Sequence, residues 1–259
     1  MCDSMIELDH VSKAYYTKRN RSRARIVLDD ISMTIGDNEF VCLIGPSGCG
    51  KTTVLNLIAG FERPTMGKVS CNGEEVTGPS PQRGVVFQEY SLLPWLSAKS
   101  NVMLALECRK VPEHERNTIA MRALEKVSMG EYADMRPNTL SGGMKQRVAI
   151  ARILAMDPDI MLMDEPFSAL DETTRSRLDG DIVKIWSEER KTVVFVTHII
   201  DEALRIATRI VLFSDSPGKI VKEWTLEPGS ERDLHSPRFV ELKKEISETM
   251  AANTRCHDL

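Results

Sequence analysis

The stretch FVCLIGPSGCGKTTVLNLIAG, residues 40–60, joins five apolar residues to a glycine-rich loop and then to a helical pattern that ends at Gly60. Its central part satisfies the pattern G-x-x-x-x-G-K-[ST], which binds phosphate groups when a strand precedes it and a helix follows it. Both conditions are met, because FVCLI is typical of a buried strand and KTTVLNLIA of a helix. The stretch therefore predicts a nucleotide-binding loop within an α/β fold.

Each residue type in this loop has a chemical role. Glycines let backbone N–H groups turn toward phosphate oxygens, and the following helix directs its positive end at them. Lys51 adds a full charge near the β and γ phosphates, and the Thr52 hydroxyl is a predicted ligand of Mg²⁺. The residues predicted to hold the nucleotide here are Gly45, Pro46, Ser47, Gly48, Cys49, Gly50, Lys51, Thr52 and Thr53.

Four further apolar runs alternate with helical patterns along the chain. They are GVVF (84–87), IMLM (160–163), TVVFV (192–196) and IVLF (210–213). Buried strands of this kind, separated by helices, predict a mostly parallel sheet in an α/β layered core. Leu178, Ile182 and Trp186 recur at intervals of four and predict one of the helices.

Two regions depart from this alternation. IELDHV and ISMTI alternate like antiparallel strands, and Asn72-Gly73 is a hairpin turn sequence, so we expect an antiparallel β flank near the N-terminus. The stretch from about 97 to 157 has helical spacing without a convincing strand and predicts a helical insert. The residues beyond about 228 predict a weak helix and a loose end.

Composition excludes several classes of protein. The 259 residues carry a formal net charge of −4, which gives no reason to expect bulk binding to nucleic acid. The six cysteines form no CxxC pair, so we expect free thiols rather than a metal site or a disulfide framework. No run of about 18 apolar residues is present, and the first residues lack a signal-peptide pattern, so the chain is expected to stay in the cytosol.

Polar side chains follow three of the predicted strands at their carboxyl ends, where ligands gather in open α/β sheets. Asp164 is predicted to reach the metal ion through a water molecule, and Glu165 is the candidate general base that activates the attacking water. His198 is positioned to donate a hydrogen bond to the γ-phosphate or to this water. The Gln88 amide can contact both the metal ion and the water. We expect these strand ends to converge on one phosphate group.

With these residues in place, the chain resembles the ATP-binding subunits of ABC transporters over nearly its whole length. GPSGCGKTT resembles the Walker A motif, Gln88 the Q-loop, LSGGMKQ (140–146) the signature, IMLMDEP (160–166) Walker B, SALD (168–171) the D-loop and His198 the switch histidine. The resemblance implies one ABC ATPase domain over 1–259. It would comprise a RecA-like core over about 1–96 and 158–228, a helical subdomain over about 97–157 and a helical tail over about 229–259.

The resemblance also implies that two chains work as a head-to-tail pair, as a homodimer or with a similar subunit. The signature residues Ser141, Gly142 and Gly143 of one chain would then cap the ATP held by the other. A hydroxyl, N–H groups and a helix N-terminus suit a γ-phosphate clamp. A purely structural role, in which these residues cap the helix 144–155, stays open on local grounds.

Tyr15 matches the aromatic residue that stacks on adenine in this family, with Tyr16 as the alternative. Asp171 belongs to the D-loop and is carried over as a nucleotide-site residue. The segment after the two tyrosines is longer than the family pattern and basic. A solvated hairpin or contact with acidic lipid are the two interpretations of Lys18, Arg19, Arg21, Arg23 and Arg25.

Within the family, the chain looks most like importers of nitrate, sulfonate, taurine and bicarbonate. This implies integral membrane permease partners, a periplasmic or lipid-anchored substrate-binding protein, and a peripheral location on the cytoplasmic face of the bacterial inner membrane. Leu93, Pro94 and Trp95 would then either anchor a permease helix or pack within the helical insert. The alternatives are an exporter or lipid mover, a non-transport ABC ATPase on DNA or ribosomes, and a P-loop kinase.

Overall fold

The computed structural model describes residues 4–17, 20–227 and 232–253, with the side chains of 17 and 20–23 left out. Within this part of the chain, ten strands and seven α-helices form two compact units. The first unit comprises Met1–Pro79 and Thr192–Leu259, and the second comprises Ser80–Lys191. The division into core, helical subdomain and tail that the resemblance implies remains a prediction.

Strands and helices are numbered separately in chain order. The strands are β1 (Ser4–Thr17), β2 (Asn20–Gly36), β3 (Phe40–Ile44), β4 (Met66–Cys71), β5 (Glu74–Glu75), β6 (Arg83–Val86), β7 (Ile160–Asp164), β8 (Thr192–Val196), β9 (Arg209–Phe213) and β10 (Ile220–Thr225). The helices are α1 (Lys51–Ala59), α2 (Ala98–Cys108), α3 (Glu113–Lys126), α4 (Gly142–Ala155), α5 (Glu172–Glu189), α6 (Ile200–Ile206) and α7 (Pro237–Ala252).

The first unit contains both kinds of sheet. β2, β1, β4 and β5 form an antiparallel sheet in that order, which confirms the predicted flank. The turn between β4 and β5 has φ of 52° at Asn72 and 76° at Gly73, as a hairpin turn of this sequence requires. β3 lies between β8 and β9 with parallel pairing, and β10 adds to β9 antiparallel.

The core of this unit follows from the apolar runs. All five residues of β3 and all five of β8 are buried, so neither strand has a solvent-exposed face. α1 ends at Ala59 and is capped by Gly60, whose φ of 82° lets its N–H turn back to the last carbonyls of the helix. The predicted strand–loop–helix unit is therefore confirmed at both ends.

The second unit contains the parallel pair β6–β7 and the helices α2 to α5. From 98 to 155 the described backbone is helical or irregular, as the sequence pattern indicates. Leu178, Ile182 and Trp186 lie on the buried face of α5. α4 begins at Gly142 rather than at residue 144, because the side chain of Ser141 caps it.

Three expectations concern the chain as a whole. The described cysteines Cys42, Cys49, Cys71 and Cys108 are free thiols, and Cys2 and Cys256 lie outside the described residues. Among the described helices, none combines the length and the apolar character that crossing a membrane requires. The basic segment lies where β1 and β2 meet, and the two strands remain paired as far as Thr17 and Asn20. Within this segment, Lys18 and Arg19 lie outside the described residues, and so do the side chains of Arg21 and Arg23.

Candidate nucleotide-binding and catalytic site

The loop after β3 has a conformation that only glycine adopts readily at three positions. Gly45, Gly48 and Gly50 have φ of 148°, 78° and 104°. A Cβ at Gly45 would lie 2.8 Å from the carbonyl oxygen of Phe213, and one at Gly50 would lie 2.5 Å from Leu28 Cδ2. A Cβ at Gly48 would meet nothing within 4 Å. The loop thus packs tightly on one side and is open at Gly48.

The Lys51 side chain is buried within this loop. Its Nζ donates to the carbonyl oxygens of Gly45 at 2.7 Å and Pro46 at 2.9 Å. A full positive charge is therefore held among backbone groups that belong to the loop itself. This arrangement fits the phosphate chain of a nucleotide, because an anion is stabilised by a fixed ammonium beside a helix N-terminus.

The other loop residues differ in exposure. Ser47 and Thr52 are exposed, and Thr53 is half-buried. Cys49 is fully buried, and burial raises the pKa of its thiol despite the nearby Lys51. A thiol that stays protonated is a poor nucleophile. The Cys49 side chain also contacts Lys51, whose Nζ donates to Cys49 Sγ at 3.8 Å.

The segment that contains Gly218 packs against the phosphate loop, and the sequence did not predict this contact. The Gly218 N–H donates to Val27 O at 2.8 Å, and its carbonyl accepts from Asp29 N at 3.1 Å. A Cβ at Gly218 would lie 2.0 Å from the carbonyl oxygen of Cys49, so only glycine fits at this position. The sequence Ser216-Pro217-Gly218 is a turn signal that indicates a loop, but it does not identify what the loop contacts.

Tyr15 is fixed beside the helix that follows the loop. Its hydroxyl donates to Glu62 Oε2 at 2.6 Å, and it is also hydrogen-bonded to Thr53. Lys13 pairs with the same carboxylate at 2.9 Å and lies over the Tyr15 ring. Burial and then the bond to Glu62 raise the pKa of the phenol. Tyr16 is 61% exposed, so of the two tyrosines Tyr15 is the one held near α1.

Glu62 was not predicted from the sequence. Burial acts to raise the pKa of its carboxyl, but hydrogen bonds from Tyr15 and Lys13 outweigh this effect and lower the pKa. Glu62 therefore stays ionised and fixes both side chains. No local pattern in the sequence identifies this residue, because Tyr15 and Glu62 are 47 positions apart.

His198 follows β8 and lies two residues before α6. β8 is parallel to β3, with Val196 paired to Leu43, so His198 and the phosphate loop leave the sheet at the same edge. The His198 side chain is exposed. The first unit thus brings together three predicted features: the phosphate loop, the tyrosine beside α1 and the histidine.

In the second unit, Gln88 and Glu165 follow adjacent parallel strands, with Val86 of β6 paired to Met163 of β7. Ser168 connects them, because its hydroxyl donates to Glu165 O at 3.0 Å and accepts from Gln88 Nε2 at 3.3 Å. The sequence indicates Ser168 only as part of the SALD motif.

The two carboxylates that follow β7 differ in backbone conformation. Glu165 has φ of 42°, which is uncommon for a residue with a side chain and is found where the surroundings impose it. Asp164 is the last residue of β7 and is half-buried.

The signature residues have a local structural role. Ser141 Oγ accepts from Met144 N at 3.3 Å, so the serine caps α4, as the structural interpretation requires. A Cβ at Gly142 would lie 2.9 Å from the Tyr90 hydroxyl, and one at Gly143 would lie 2.8 Å from Thr174 Cγ2. Both glycines therefore pack closely against these side chains. The Ser141 side chain remains exposed, which leaves it accessible to a ligand.

Asp171 caps α5. Its carboxylate accepts from Thr174 N at 2.9 Å and from Thr174 Oγ1 at 2.7 Å. The backbone hydrogen bond from Thr174 is the main cause that lowers the pKa of Asp171. The described geometry thus gives Asp171 a helix-capping role, and its role toward nucleotide remains a prediction.

The predicted magnesium ligands are Thr52 in the first unit and Gln88 and Asp164 in the second. Among the described residues, no group of three or more His, Cys, Asp or Glu is arranged to hold a metal ion. Hydroxyl, amide and carboxylate oxygens are nevertheless the donors that Mg²⁺ prefers, and Mg²⁺ commonly takes most of its ligands from phosphates and water. The donor set therefore fits an ion that arrives with a nucleotide.

Comparison with known proteins gives a consistent result. The sequence profile described as ABC transporter matches residues 28–168. The taurine import ATP-binding protein TauB of Chromobacterium violaceum is 46% identical, over 88% of this chain and 90% of its own length. The bicarbonate transport ATP-binding protein CmpD and the nitrate import ATP-binding protein NrtD, both of Synechococcus elongatus, are each 41% identical. Each covers 93% of this chain, and the match spans 88% and 89% of their own lengths.

A solved structure extends the similarity to the fold. The dimeric, post-hydrolysis structure of the ATP-binding cassette MJ0796 bound to ADP and Pi is 35% identical to this chain. It covers 86% of this chain and 99% of its own length, with a TM-score of 0.75.

Proposed function

Because this chain belongs to the ABC transporter family as an ATP-binding and ATP-hydrolysing subunit, we propose that it drives the import of a small anion such as nitrate, a sulfonate, taurine or bicarbonate. The nucleotide-binding part of this proposal depends on one observation above all. The buried Lys51 ammonium is bonded inside a loop whose glycines hold a conformation suited to phosphate. The import part is supported by the relatives that drive import of taurine, nitrate and bicarbonate.

The chemical roles are assigned residue by residue. The phosphate loop and Tyr15 bind ATP, with the tyrosine stacking on adenine. Glu165 accepts the proton of the attacking water, and His198 donates a hydrogen bond during the reaction. Thr52, Gln88 and, through a water molecule, Asp164 would hold Mg²⁺, which would neutralise phosphate charge. Asp171 of the D-loop is assigned to the nucleotide site as well, in addition to its capping role.

We place two copies, or this chain and a similar subunit, in a head-to-tail pair. In this arrangement Ser141, Gly142 and Gly143 of one copy complete the site on the other, and closure of the pair around ATP performs the mechanical work. The dimeric state of the MJ0796 cassette supports the pairing. Permease subunits would hold the pair at the cytoplasmic face of the membrane, and a periplasmic or lipid-anchored binding protein would deliver substrate to these permease subunits from the opposite side.

A groove in the second unit is the proposed contact with the permease. It has a volume of about 710 Å³, and its lining includes Gln88, Tyr90, Pro94 and Lys145. Trp95 follows Pro94 and is 66% exposed, so it does not pack inside the helical region. An exposed tryptophan beside a groove is suited to anchor a helix of a partner.

The loop that presents Trp95 is rigidly held by the buried Asn101. Its Oδ1 accepts from Leu93 N at 2.8 Å, and its Nδ2 donates to the carbonyls of Leu93, Leu96 and Ser97. A satisfied buried amide fixes the loop before any partner arrives, which lowers the entropy cost of docking. Leu93 therefore contributes to the loop's own packing, and Pro94 and Trp95 form its exposed part.

Replacing Trp95 with Ala is expected to abolish transport while ATP hydrolysis by the purified chain persists. The melting temperature should change little, because the side chain is mostly exposed. The measurement is uptake of labelled nitrate, bicarbonate and taurine by cells that lack the native gene and carry either form. Met66→Ala, at another exposed apolar side chain, is the control and should transport normally. Equal loss of hydrolysis and stability would instead favour packing, and absence of uptake with the unmodified chain would contradict import of these anions.

A further inference from the structure

The short helix after His198 is held at both ends by the C-terminal part of the chain. α6 has only seven residues, and a helix of this length gains little stability from its own hydrogen bonds. Its position must therefore come from its neighbours. α7 packs against it, and the residues before α7 contact it as well.

Arg232 binds the carboxyl end of α6. Its Nη1 donates to the carbonyls of Leu204 at 2.8 Å and Ala207 at 2.7 Å, and its Nη2 donates to Glu227 O at 2.5 Å. Carbonyls in the last turn of a helix lack partners within the helix, and a cation at this end is favoured by the helix dipole. The first two bonds connect the end of α6 to the segment that leads into α7, and the third connects this segment to Glu227.

Lys243 binds the amino end of α6. Its Nζ lies 2.6 Å from Oδ1 of Asp201, which belongs to the first turn of the helix. Both side chains are about half exposed, so the pair alone adds little stability. The pair instead sets the position of α6 relative to α7. α7 is itself held in place, because Trp224 Nε1 donates to Glu245 Oε1 at 3.0 Å and Ile246 is fully buried.

The contacts continue from α6 to the residues on either side of His198. Glu202, next to Asp201, is buried and accepts a hydrogen bond from the Thr197 hydroxyl. The same hydroxyl oxygen accepts from Ile199 N at 3.0 Å. Thr197 and Ile199 are the neighbours of His198 in the chain, so a shift of α6 moves the backbone that carries the histidine.

We propose that Arg232 and Lys243 are positioning residues for His198, through which the C-terminal segment sets the rate of ATP hydrolysis without contributing to nucleotide affinity. The inference depends on the proposed role of His198 in hydrolysis. The hydrogen bonds and the ion pair given above for these two residues go to α6, Ala207 and Glu227 and not to the phosphate loop, so both residues act on the histidine through α6.

The first test compares steady-state hydrolysis of MgATP by full-length variants. Arg232→Ala is expected to lower kcat by about tenfold to a hundredfold, the size of loss that misplacement of a catalytic group causes, with KM for MgATP unchanged. Lys243→Ala should lower kcat less, and Lys243→Arg should restore it because the pair with Asp201 re-forms. Lys244→Ala is the matched control on α7: its partner is Glu248 on the same helix, and kcat should not change.

The second test asks whether the effect passes through His198. In single-turnover hydrolysis, His198→Ala with Arg232→Ala should be no slower than His198→Ala alone. A further loss in the double variant, or a raised KM with a lowered melting temperature in Lys243→Ala, would overturn the inference and leave the role of His198 intact. Unchanged hydrolysis in His198→Ala alone would overturn the role of His198 and, with it, this inference.

Discussion

Glu165→Gln is expected to lower the rate of ATP hydrolysis by about a hundredfold or more, the loss that removal of a general base causes, while MgATP still binds. Glutamine has nearly the same shape as glutamate but cannot accept a proton. Glu165 follows β7 directly, and its backbone φ of 42° is energetically costly for a residue with a side chain. This backbone conformation sets the direction in which the Glu165 side chain leaves the chain. Phosphate release and equilibrium binding of MgATP are the two measurements.

Two controls define what this variant tests. Glu172→Gln changes an exposed carboxylate in the first turn of α5 and should leave hydrolysis unchanged. Glu165→Asp keeps a carboxylate on a shorter side chain and should retain part of the rate. Undiminished hydrolysis by Glu165→Gln would remove this residue from the role of general base. Loss of MgATP binding would show that the change disturbs the fold rather than the chemistry.

Ser141→Arg is expected to abolish ATP hydrolysis while the affinity of the same chain for nucleotide stays nearly unchanged. In the proposed pair, this serine acts on the nucleotide that another copy holds, so its own phosphate loop is not affected. The substitution also removes the helix cap that Ser141 provides to Met144 N, at a cost of about 1 kcal/mol of stability.

A second substitution at this position distinguishes the helix-capping role of Ser141 from its phosphate-binding role. Aspartate is as good a helix cap as serine, so Ser141→Asp should preserve the melting temperature. Its negative charge would repel a phosphate group, so hydrolysis should still be lost. Full activity of Ser141→Asp would mean that the serine only caps α4. Loss of nucleotide binding in Ser141→Arg would contradict the division of roles between two copies.

The features that the sequence predicted correctly depend on neighbours in the chain. The apolar run at 40–44 forms β3 as expected, and α1 is capped by Gly60, because strand burial and a left-handed glycine are both local properties. The turn at Asn72 and Gly73 follows for the same reason. Such features need only the pattern of residue types and the conformations that those types allow.

The features that sequence reasoning missed are contacts between distant positions. Gly218 lies against the carbonyl of Cys49, Glu62 holds Tyr15, and Arg232 holds the end of α6. Each is an ordinary residue type in an ordinary local pattern, and its partner becomes apparent only when the chain is folded. The same limit explains why Ser141 could be assigned to a cap or to a clamp.

In the proposed pair, one copy of the chain holds ATP and a second copy completes the site. Lys51→Ala weakens the phosphate loop and Ser141→Arg disables the signature, so each variant alone should be inactive. In a mixed pair, the intact phosphate loop of one variant faces the intact signature of the other. Mixing the two inactive proteins should therefore restore ATP hydrolysis, with a rate that rises with total protein concentration. No activity at any mixing ratio, with both variants folded and the Ser141→Arg chain binding MgATP, would contradict the proposed pairing.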